Sequence, residues 1–515
     1  MEPSRTGATP ITLTLPDEQA MQQLAVDLAS AVDPGDAVML SGDLGAGKTT
    51  LARAMIRHLA DDPELDVPSP TFTLVQSYDL PRFTLMHADF YRLSGSEELT
   101  ELGLDDIPAG AVVLIEWPDR APDLAPPDRL EIEIRLDPDT GPDARVVRLT
   151  GHGSLAGRAE RMLRLREFLD RNGLGEVRRE RLAGDASARS YERLLLPHKP
   201  LLLMNAPRRP DGPPIRYGRS YSAIAHLSED VKAFVAVAEA LRTLGFSAPA
   251  IHAADLADGF VLVEDLGNEG VVEGNPPAPV PERYRAAVDL LVALHGHMLL
   301  PSELPVTQQL TYRLPDYDLD AFLIEIELLL EWYLPRLAAV PTTPARSAFL
   351  SFWRDALKPV LAQTPTWVLR DFHSPNLIWL PERRGIERVG VIDFQDAVMG
   401  PAAYDLASLL QDARVTVSED LEIELLGRYA RARRANEPGF DVGLFAQIYA
   451  TVAAQRATKI LGIFARLAQR DGKPQYLRHM PRVATYLQRA LAHPSLAPLK
   501  AWYTAYVPPP PAPPA

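Results

Sequence analysis

Blocks of apolar residues alternate with polar stretches along residues 367–396, and this alternation predicts a short β-rich segment. The apolar runs cover residues 367–369, 377–380 and 389–392, and each is bounded by polar or turn-forming residues. Short runs of this kind are typical of strands, because helices need longer periodic patterns. The segment therefore predicts the order strand, loop, strand, turn and strand.

Polar side chains stand at the ends of these predicted strands. Asp371 follows the first strand, Asn376 comes five residues later, and Asp393 closes the last strand. An Asp, an Asn five residues on and a second Asp after a further strand form the minimum set for phosphoryl transfer. Asp371 is the candidate catalytic base for a substrate hydroxyl, and Asn376 and Asp393 are candidate Mg²⁺ ligands. A solvated polar hairpin is the alternative; the strand context and the second Asp favour a kinase catalytic loop.

A strand, a glycine-rich loop and a helix are predicted near the start of the chain. The apolar run 37–40 leads into GDLGAGKT at residues 42–49, and a helix-like run follows. The glycines let successive backbone N–H groups face one concavity, where the helix N-terminus adds positive potential for phosphates. The candidate nucleotide-binding residues are Gly42, Gly45, Ala46, Gly47, Lys48, Thr49 and Thr50. Lys48 would reach the β- and γ-phosphates, and the Thr49 hydroxyl would bind Mg²⁺.

Acidic and aromatic residues follow the next apolar strands of this region. Asp89 comes after one strand, where it would position an attacking water, and Glu116 ends another as a second candidate Mg²⁺ ligand. Thr71 is a candidate switch group near the γ-phosphate. Trp117 is a candidate for stacking on adenine, although a Trp at a strand end is more often a packing residue.

These motifs resemble the TsaE family, the small P-loop ATPase of the bacterial machinery that makes tRNA threonylcarbamoyladenosine. GDLGAGKTT, SPTFTLV, HADFYRL and IEW occur in that order between about residues 13 and 150. The resemblance implies a nucleotide-dependent partner of the threonylcarbamoyl-transferase subunits. It also implies that Lys48, Thr49, Asp89 and Glu116 are functional residues.

The predicted fold class is an α/β P-loop NTPase domain followed by a two-lobed, protein-kinase-like (α+β) phosphotransferase domain. The expected boundaries are 1–152 for the first domain, 153–158 for a linker of small residues, 159–505 for the second domain and 506–515 for a proline-rich tail. The small lobe would end near residue 264, the hinge would cover 264–267, and the helical lobe would follow.

The second domain departs from the usual kinase pattern at its nucleotide site. A loop at 184–191 is expected to cover the phosphates, but Met204 stands where protein kinases carry a Lys. Arg189 or Arg193 would replace that Lys, unless both are solvated arginines. Glu264 and Leu266 are the candidate hinge residues whose backbone binds adenine, although an ordinary turn would look similar.

The second domain resembles the aminoglycoside phosphotransferase-like superfamily of small-molecule kinases. GDASARSYERL, LVEDLG, LRDFHSPNLIWL and IDFQDAVMGPAAYDLASL match its pattern between about residues 160 and 500, although Leu369 stands where many relatives have His. LRDFHSPNL with DFQDA most resembles the cell-wall amino-sugar kinases that phosphorylate N-acetylmuramate and N-acetylglucosamine at the anomeric hydroxyl in peptidoglycan recycling. An aminoglycoside, choline or homoserine kinase, or a non-catalytic scaffold, remains open as an alternative.

Composition narrows the partners and the compartment. The 515 residues are 46% hydrophobic and predict about two to four domains. The net charge of −15 argues against broad direct nucleic-acid binding, so any tRNA role would pass through partner subunits. Without cysteine, without a signal-like start and without a run near the roughly eighteen apolar residues of a membrane span, the chain is expected to be cytoplasmic. ATP and Mg²⁺ are the expected cofactors of a bifunctional protein.

Overall fold

A computed structural model of the chain describes residues 10–93, 108, 110–122, 125–182, 189–197, 200–208, 211–297 and 299–508. The chain divides into two compact units, Met1–Glu180 and Arg181–Ala515. Most of the predicted phosphate-covering loop (184–188) and most of the proline-rich tail (509–515) lie outside the described residues. Among the described residues, no helix combines the length and the apolar character that crossing a bilayer requires.

The first unit is built around a seven-stranded mixed sheet. Its strands are β1 (Ile11–Leu15), β2 (Ala37–Ser41), β3 (Val75–Asp79), β4 (Thr84–Asp89), β5 (Val112–Glu116), β6 (Arg129–Leu136) and β7 (Arg145–His152). Its helices are α1 (Glu18–Ala31), α2 (Lys48–Ala60) and α3 (Leu155–Arg171). The strand order is β1-β7-β6-β2-β5-β4-β3, and β2 pairs in parallel with both β5 and β6. Because β2 lies inside the sheet, its residues 37–40 are all buried, which explains the uninterrupted apolar run.

Helix α3 belongs to the first unit, although the sequence placed most of it in the second domain. It packs against β6, β7 and α1, and it buries Leu155, Ala159 and Met162 in the core of the first unit. The compact units therefore divide at Glu180–Arg181, later than the boundary expected at residues 152–159. Gly153 and Ser154 make a turn and residues 155–157 begin α3, so this stretch is not a linker between the units.

The second unit begins with a small antiparallel sheet, whose first strand starts two residues before the boundary at Arg181, and continues as a helical lobe. Its strands are β8 (Arg179–Arg181), β9 (Ser190–Leu194), β10 (Leu201–Asn205), β11 (Ile251–Asp255), β12 (Phe260–Glu264), β13 (Val272–Glu273), β14 (Ala278–Pro279), β15 (Glu303–Pro305), β16 (Thr311–Arg313), β17 (Thr366–Val368), β18 (Leu377–Trp379), β19 (Val389–Val391) and β20 (Val398–Gly400). Its helices are α4 (Tyr221–Ile224), α5 (Lys232–Thr243), α6 (Pro281–Gly296), α7 (Leu319–Leu328), α8 (Leu334–Arg336), α9 (Thr343–Leu361), α10 (Ala403–Leu410), α11 (Glu419–Asn436), α12 (Val442–Gln469), α13 (Met480–Ala490) and α14 (Ala497–Tyr506).

Two hairpin-like strand pairs carry the predicted catalytic segment. The five-stranded sheet has the order β11-β12-β10-β9-β8, whereas β17 pairs with β20 and β18 pairs with β19 in the helical lobe. Helix α12 is mostly buried and packs against α7, α9, α10 and α13, so it forms the centre of that lobe. The loop between β17 and β18 is held between these strand pairs and α10.

Candidate active sites

Close backbone packing shapes the glycine-rich loop of the first unit. Gly42 has a φ of +136°, and a Cβ at this position would lie 2.1 Å from the backbone oxygen of Ile134. The Lys48 ammonium donates to the carbonyls of Gly42 (2.7 Å) and Asp43 (2.9 Å), so it ties the end of the loop back to its beginning. Burial lowers the pKa of Lys48, whereas the carboxylates of Glu116, Asp89 and Asp43 oppose that shift. The loop thus forms an open concavity with one buried cation.

Glu116 joins the loop to the neighbouring strand. The Thr49 hydroxyl donates to one Glu116 oxygen at 2.8 Å, and the buried His87 Nε2 lies 3.0 Å from the other. Parallel pairing of β4 with β5 sets Asp89 opposite Glu116. The predicted pair of Mg²⁺ ligands, Thr49 and Glu116, is therefore in direct contact, with Asp89 on the adjacent strand.

Asp89 is held by the segment that carries the candidate switch residue. One Asp89 oxygen accepts from the Ser69 hydroxyl (2.8 Å) and the Thr71 hydroxyl (2.7 Å), and the other accepts from the Tyr91 N–H (3.0 Å). These bonds fix the carboxylate at the end of β4. A movement of the Thr71 segment would therefore change the hydrogen bonds that position the Asp89 carboxylate.

Trp117 and Thr50 lie where the sequence did not expect their side chains. The ring of Trp117 packs against the Lys48 ammonium, which lies 3.6 Å from its centroid, and against Tyr91. Its face is thus covered by a cation in this structure. The Thr50 side chain lines a groove between α1 and α2 together with Arg53. Only the backbone of Thr50 is then suited to a nucleotide.

Asp405 fixes the backbone of the catalytic loop in the second unit. Its carboxylate is fully buried and accepts the N–H groups of Leu369 (2.7 Å) and Arg370 (2.9 Å). Arg370 has a φ of +65°, and its carbonyl accepts the Ser408 hydroxyl at 2.9 Å. Burial raises the pKa of Asp405 to about 7, although the two N–H donors oppose that shift. This network holds a sharp turn immediately before Asp371.

A buried group of charges supports the same turn from behind. The Arg370 guanidinium donates to Glu325, which also accepts from Lys459 (2.7 Å), Tyr317 (2.5 Å) and Gln455 (2.9 Å). Although burial raises it, the cations Lys459 and Arg370 lower the pKa of Glu325 to about 2. A fully buried carboxylate is thus held ionised between two cations.

The predicted base Asp371 and the two predicted Mg²⁺ ligands, Asn376 and Asp393, lie together in the second unit. The Asn376 amide donates to the Asp371 carbonyl at 2.9 Å and lies 3.5 Å from Asp393 Oδ2. Asp393 Oδ1 also accepts from Gln395 at 2.9 Å, and Asp393 has a φ of +59°. The Asn376 side chain thus lies between the backbone of Asp371 and the carboxylate of Asp393.

Arg189 supplies the cation at this site. Its guanidinium donates to Asp393 Oδ1 at 2.9 Å. Burial lowers the pKa of Arg189, but Tyr191, Asp393 and Asp396 raise it by more than burial lowers it, so the net shift is upward. Met204 is buried and receives the Tyr191 hydroxyl on its sulfur at 3.3 Å. The position that carries Lys in protein kinases therefore belongs to the core, and positive charge comes from the start of β9.

The predicted hinge follows β12. Both Glu264 carboxylate oxygens are occupied, one by the Ala250 N–H (3.1 Å) and one by Arg383 (2.8 Å). Arg193 donates to Asp265 at 2.6 Å and is therefore a hinge residue instead of a phosphate ligand. Leu266 is buried. Any contact of Glu264 with a nucleotide must come from its backbone.

The donor sets of both sites fit a hard divalent cation. Each offers two oxygen-bearing side chains close together: Thr49 with Glu116 at 2.8 Å, and Asn376 with Asp393 at 3.5 Å. Among the described residues no group of three or more His, Asp or Glu side chains is placed to hold a metal alone. Mg²⁺ commonly takes one or two protein ligands and completes its shell with waters and phosphates.

Several site residues were not predicted from the sequence. His87 shares a face of β4 with Asp89, and their two-residue spacing on a strand is the signal that would have found it. Gln395 stands two residues after Asp393 but in the turn that follows β19, where strand periodicity does not apply, so that signal does not find it. Glu325 contacts Arg370 across 45 residues of chain, and no local pattern points to that contact.

Comparisons with known proteins match both units. The family model described as threonylcarbamoyl adenosine biosynthesis protein TsaE matches residues 15–145, and the model of the phosphotransferase enzyme family matches residues 178–443. An N-acetylmuramate/N-acetylglucosamine kinase from Caulobacter vibrioides is 42% identical over 358 residues, which cover 66% of this chain and 95% of that protein. The TsaE protein of Rickettsia felis is 40% identical over 124 residues, 24% of this chain and 72% of that protein.

A solved choline/ethanolamine kinase family protein from Mesorhizobium loti is 17% identical, with a TM-score of 0.41, over 66% of this chain and 98% of its own. The family matches confirm the predicted fold class of a P-loop domain followed by a kinase-like phosphotransferase domain. The chain belongs to the phosphotransferase enzyme family through its second unit and to the TsaE family through its first.

Proposed function

We propose that the second unit transfers the γ-phosphoryl group of ATP to the anomeric hydroxyl of N-acetylmuramate and N-acetylglucosamine, as a step of peptidoglycan recycling. The observation that carries this proposal is the grouping of Asp371, Asn376 and Asp393 in one unit. The N-acetylmuramate/N-acetylglucosamine kinase of Caulobacter vibrioides matches this chain over nearly its whole length. Such an assignment is stronger than either the loop motif or the family likeness alone.

Asp371 is proposed as the catalytic base. The Asp405 network holds the turn immediately before it, and Asn376 holds its carbonyl, so the backbone that carries the carboxylate is fixed. The carboxylate would orient the anomeric hydroxyl and take its proton. Little covalent chemistry is needed in phosphoryl transfer, so this positioning supplies much of the rate.

Asn376, Asp393 and Arg189 are proposed to hold the phosphates. Asn376 and Asp393 would bind Mg²⁺, which neutralises phosphate charge when bound. Arg189 donates to Asp393 in this structure, and its guanidinium would contact phosphate oxygens once Mg²⁺ neutralises that carboxylate. The backbone around Glu264 and Leu266 would bind the adenine.

For the first unit we propose an ATPase that assists the formation of threonylcarbamoyladenosine at position 37 of tRNA. Lys48 and the loop of Gly42, Gly45, Ala46 and Gly47 would bind the phosphates, Thr49 and Glu116 would hold Mg²⁺, and Asp89 would position the attacking water. Trp117 would accept adenine only after its ring leaves Lys48. The threonylcarbamoyl-transferase subunits are the proposed partners, and the cytoplasm, where tRNA and ATP meet, is the proposed compartment.

The kinase assignment is tested by incubating the purified chain with ATP, Mg²⁺ and a panel of N-acetylmuramate, N-acetylglucosamine, glucose, choline and kanamycin. Phosphorus NMR should identify sugar 1-phosphates from the two N-acetylated sugars alone. Asp371→Asn should lower that turnover at least about a hundredfold, because a positioned base contributes this much. Lys48→Ala is the matched control, which should leave sugar phosphorylation unchanged. Product from choline or kanamycin would assign another substrate class, and no product from any acceptor would favour a scaffold.

The tRNA assignment is tested by binding to purified threonylcarbamoyl-transferase subunits with and without ATP. We expect an ATP-dependent complex in the wild type and in Asp371→Asn, and its loss in Lys48→Ala. A chain that forms no complex in any nucleotide state would contradict this half of the proposal.

A further inference from the structure

A group of basic side chains lies beside the catalytic loop of the second unit. This basic cluster consists of Arg478, His479 and Arg482. It is joined to the catalytic loop through Asp412, whose carboxylate accepts the N–H (2.8 Å) and the hydroxyl (2.5 Å) of Ser374. Ser374 lies between Asp371 and Asn376, so the basic cluster borders the segment that carries the base.

Hydrogen-bond donors outnumber acceptors within the basic cluster. An Arg482 nitrogen lies 3.3 Å from His479 Nδ1, and the Arg478 Nε lies 3.3 Å from His479 Nε2. A neutral imidazole accepts at only one nitrogen, so it cannot satisfy both guanidinium groups. Arg482 is anchored on the Ala413 carbonyl and the Thr416 hydroxyl, both at 2.8 Å. Arg482 is therefore held in place, and Arg478 and Arg482 together have fewer hydrogen-bond acceptors than donors.

In the part of the chain that the structure describes, neither arginine of the basic cluster, Arg478 or Arg482, forms an ion pair. Asp412 is the carboxylate that faces the cluster, and it is already bound to Ser374 and to the Arg414 N–H at 2.8 Å. Burial, followed by the charges of Arg478, Arg482 and Arg414, lowers the pKa of His479 to about 4. In a chain with a net charge of −15, such a local excess of positive charge calls for an anionic ligand.

The two sugars of the proposed reaction differ in whether they carry a negative charge. N-acetylmuramate is N-acetylglucosamine that carries a lactyl ether, and the ether ends in a carboxylate. Guanidinium groups bind carboxylates with charge-assisted hydrogen bonds, and paired donors add directional selectivity. A carboxylate would also supply the acceptors that the basic cluster lacks.

We propose that the basic cluster binds the lactyl carboxylate of N-acetylmuramate and thereby favours this sugar over N-acetylglucosamine. This inference rests on the proposed kinase function, and Arg478 and Arg482 are its specificity-determining residues. Arg478 is exposed and its Nε lies 3.3 Å from His479 Nε2, whereas Arg482 is anchored by other groups, so replacing Arg478 leaves the anchoring bonds of Arg482 intact.

The test is the ratio of kcat/KM for N-acetylmuramate to that for N-acetylglucosamine. In Arg478→Gln we expect this ratio to fall by roughly 10- to 100-fold, the scale of a lost charge-assisted hydrogen bond, with N-acetylglucosamine turnover unchanged. The methyl ester of N-acetylmuramate should be insensitive to the same change, because it has no carboxylate. Arg354→Gln, an exposed arginine on α9, is the matched control and should leave the ratio unchanged.

Each outcome decides the matter. An equal loss for both sugars, or no change for either, would overturn carboxylate recognition by this cluster, as would an ester that is as sensitive as the acid. Arg482→Lys keeps the charge and should retain more of the ratio than Arg482→Gln. A wild-type chain that phosphorylates neither sugar would refute the proposed function itself, and no carboxylate ligand would then be assigned to the cluster.

Discussion

Replacing Glu325 with Gln should destabilise the second unit severely. In the wild type, Glu325 is fully buried and accepts four hydrogen bonds, two of them from the cations Arg370 and Lys459. Gln keeps the size of the side chain but removes its charge and turns one acceptor into a donor. Two buried cations would then face a neutral amide.

The magnitude follows from two separate arguments. Removing one partner of a buried ion pair typically costs about 3–5 kcal/mol, because an uncompensated charge is left behind. The pKa of Glu325, lowered from 4.5 to about 2, corresponds to about 3 kcal/mol of preference for the ionised form in the folded state. Since both arguments agree, we expect the free energy of unfolding to fall by about 3–5 kcal/mol.

Denaturant unfolding followed by tryptophan fluorescence reports mainly on the second unit, where this change in stability is expected. Of the six tryptophans, only Trp117 lies in the first unit; the second unit holds Trp332, Trp353, Trp367, Trp379 and Trp502. The matched control is Glu424→Gln, which removes a carboxylate from an exposed ion pair with Arg285 and should barely move the transition. Because the folded pKa of Glu325 lies below the unfolded one, its stabilisation is present above pH 4.5 and is lost as pH falls through 2. The gap between wild type and Glu325→Gln should therefore narrow below pH 4.5.

Equal shifts in Glu325→Gln and Glu424→Gln would refute this reasoning. So would a Glu325→Gln protein of wild-type stability, because it would mean that Arg370 and Lys459 find other partners. Kinase activity is the second readout, since Arg370 also supports the turn before Asp371.

Three further results are expected. Gly42→Ala should abolish nucleotide binding by the first unit, measured with a fluorescent ATP analogue, because its Cβ would lie 2.1 Å from a backbone oxygen; Gly45→Ala, with nothing within 4 Å, should be milder, and equal effects would contradict the steric argument. Asp405 has a folded pKa raised to about 7, so its contribution to stability is present below pH 3.8 and is lost as pH rises through 7; Asp405→Asn should remove this slope from pH-dependent unfolding curves, and an unchanged slope would contradict the shift. Chelation of Mg²⁺ should stop both sugar phosphorylation and ATP hydrolysis until the ion is restored, and sugar phosphorylation that persists in excess chelator would argue against Asn376 and Asp393 as metal ligands.

Local sequence signals predicted the loops at the two sites, because glycine spacing and strand-end carboxylates constrain the nearby backbone. The positions of Lys48, Thr49, Asp371 and Asn376 followed from those signals. The partners of these loops did not, since contacts such as Glu325 with Arg370 depend on tertiary packing.

The domain boundary was misplaced for a related reason. The small residues at 153–157 have the composition of a linker, and α3 carries an apolar face whose partner cannot be read from the helix itself. Only the sheet of the first unit shows what that face covers. Arg189 was one of two candidate arginines, and the contact of Arg193 with Asp265 separates them.

The buried Met204 has a consequence for control of the kinase. Protein kinases are switched by breaking and remaking an ion pair between the strand Lys and a helix Glu. A methionine packed under Tyr191 cannot take part in such a pair, so this route to an off state is closed. For the proposed sugar kinase, flux should then follow the supply of the sugar and ATP.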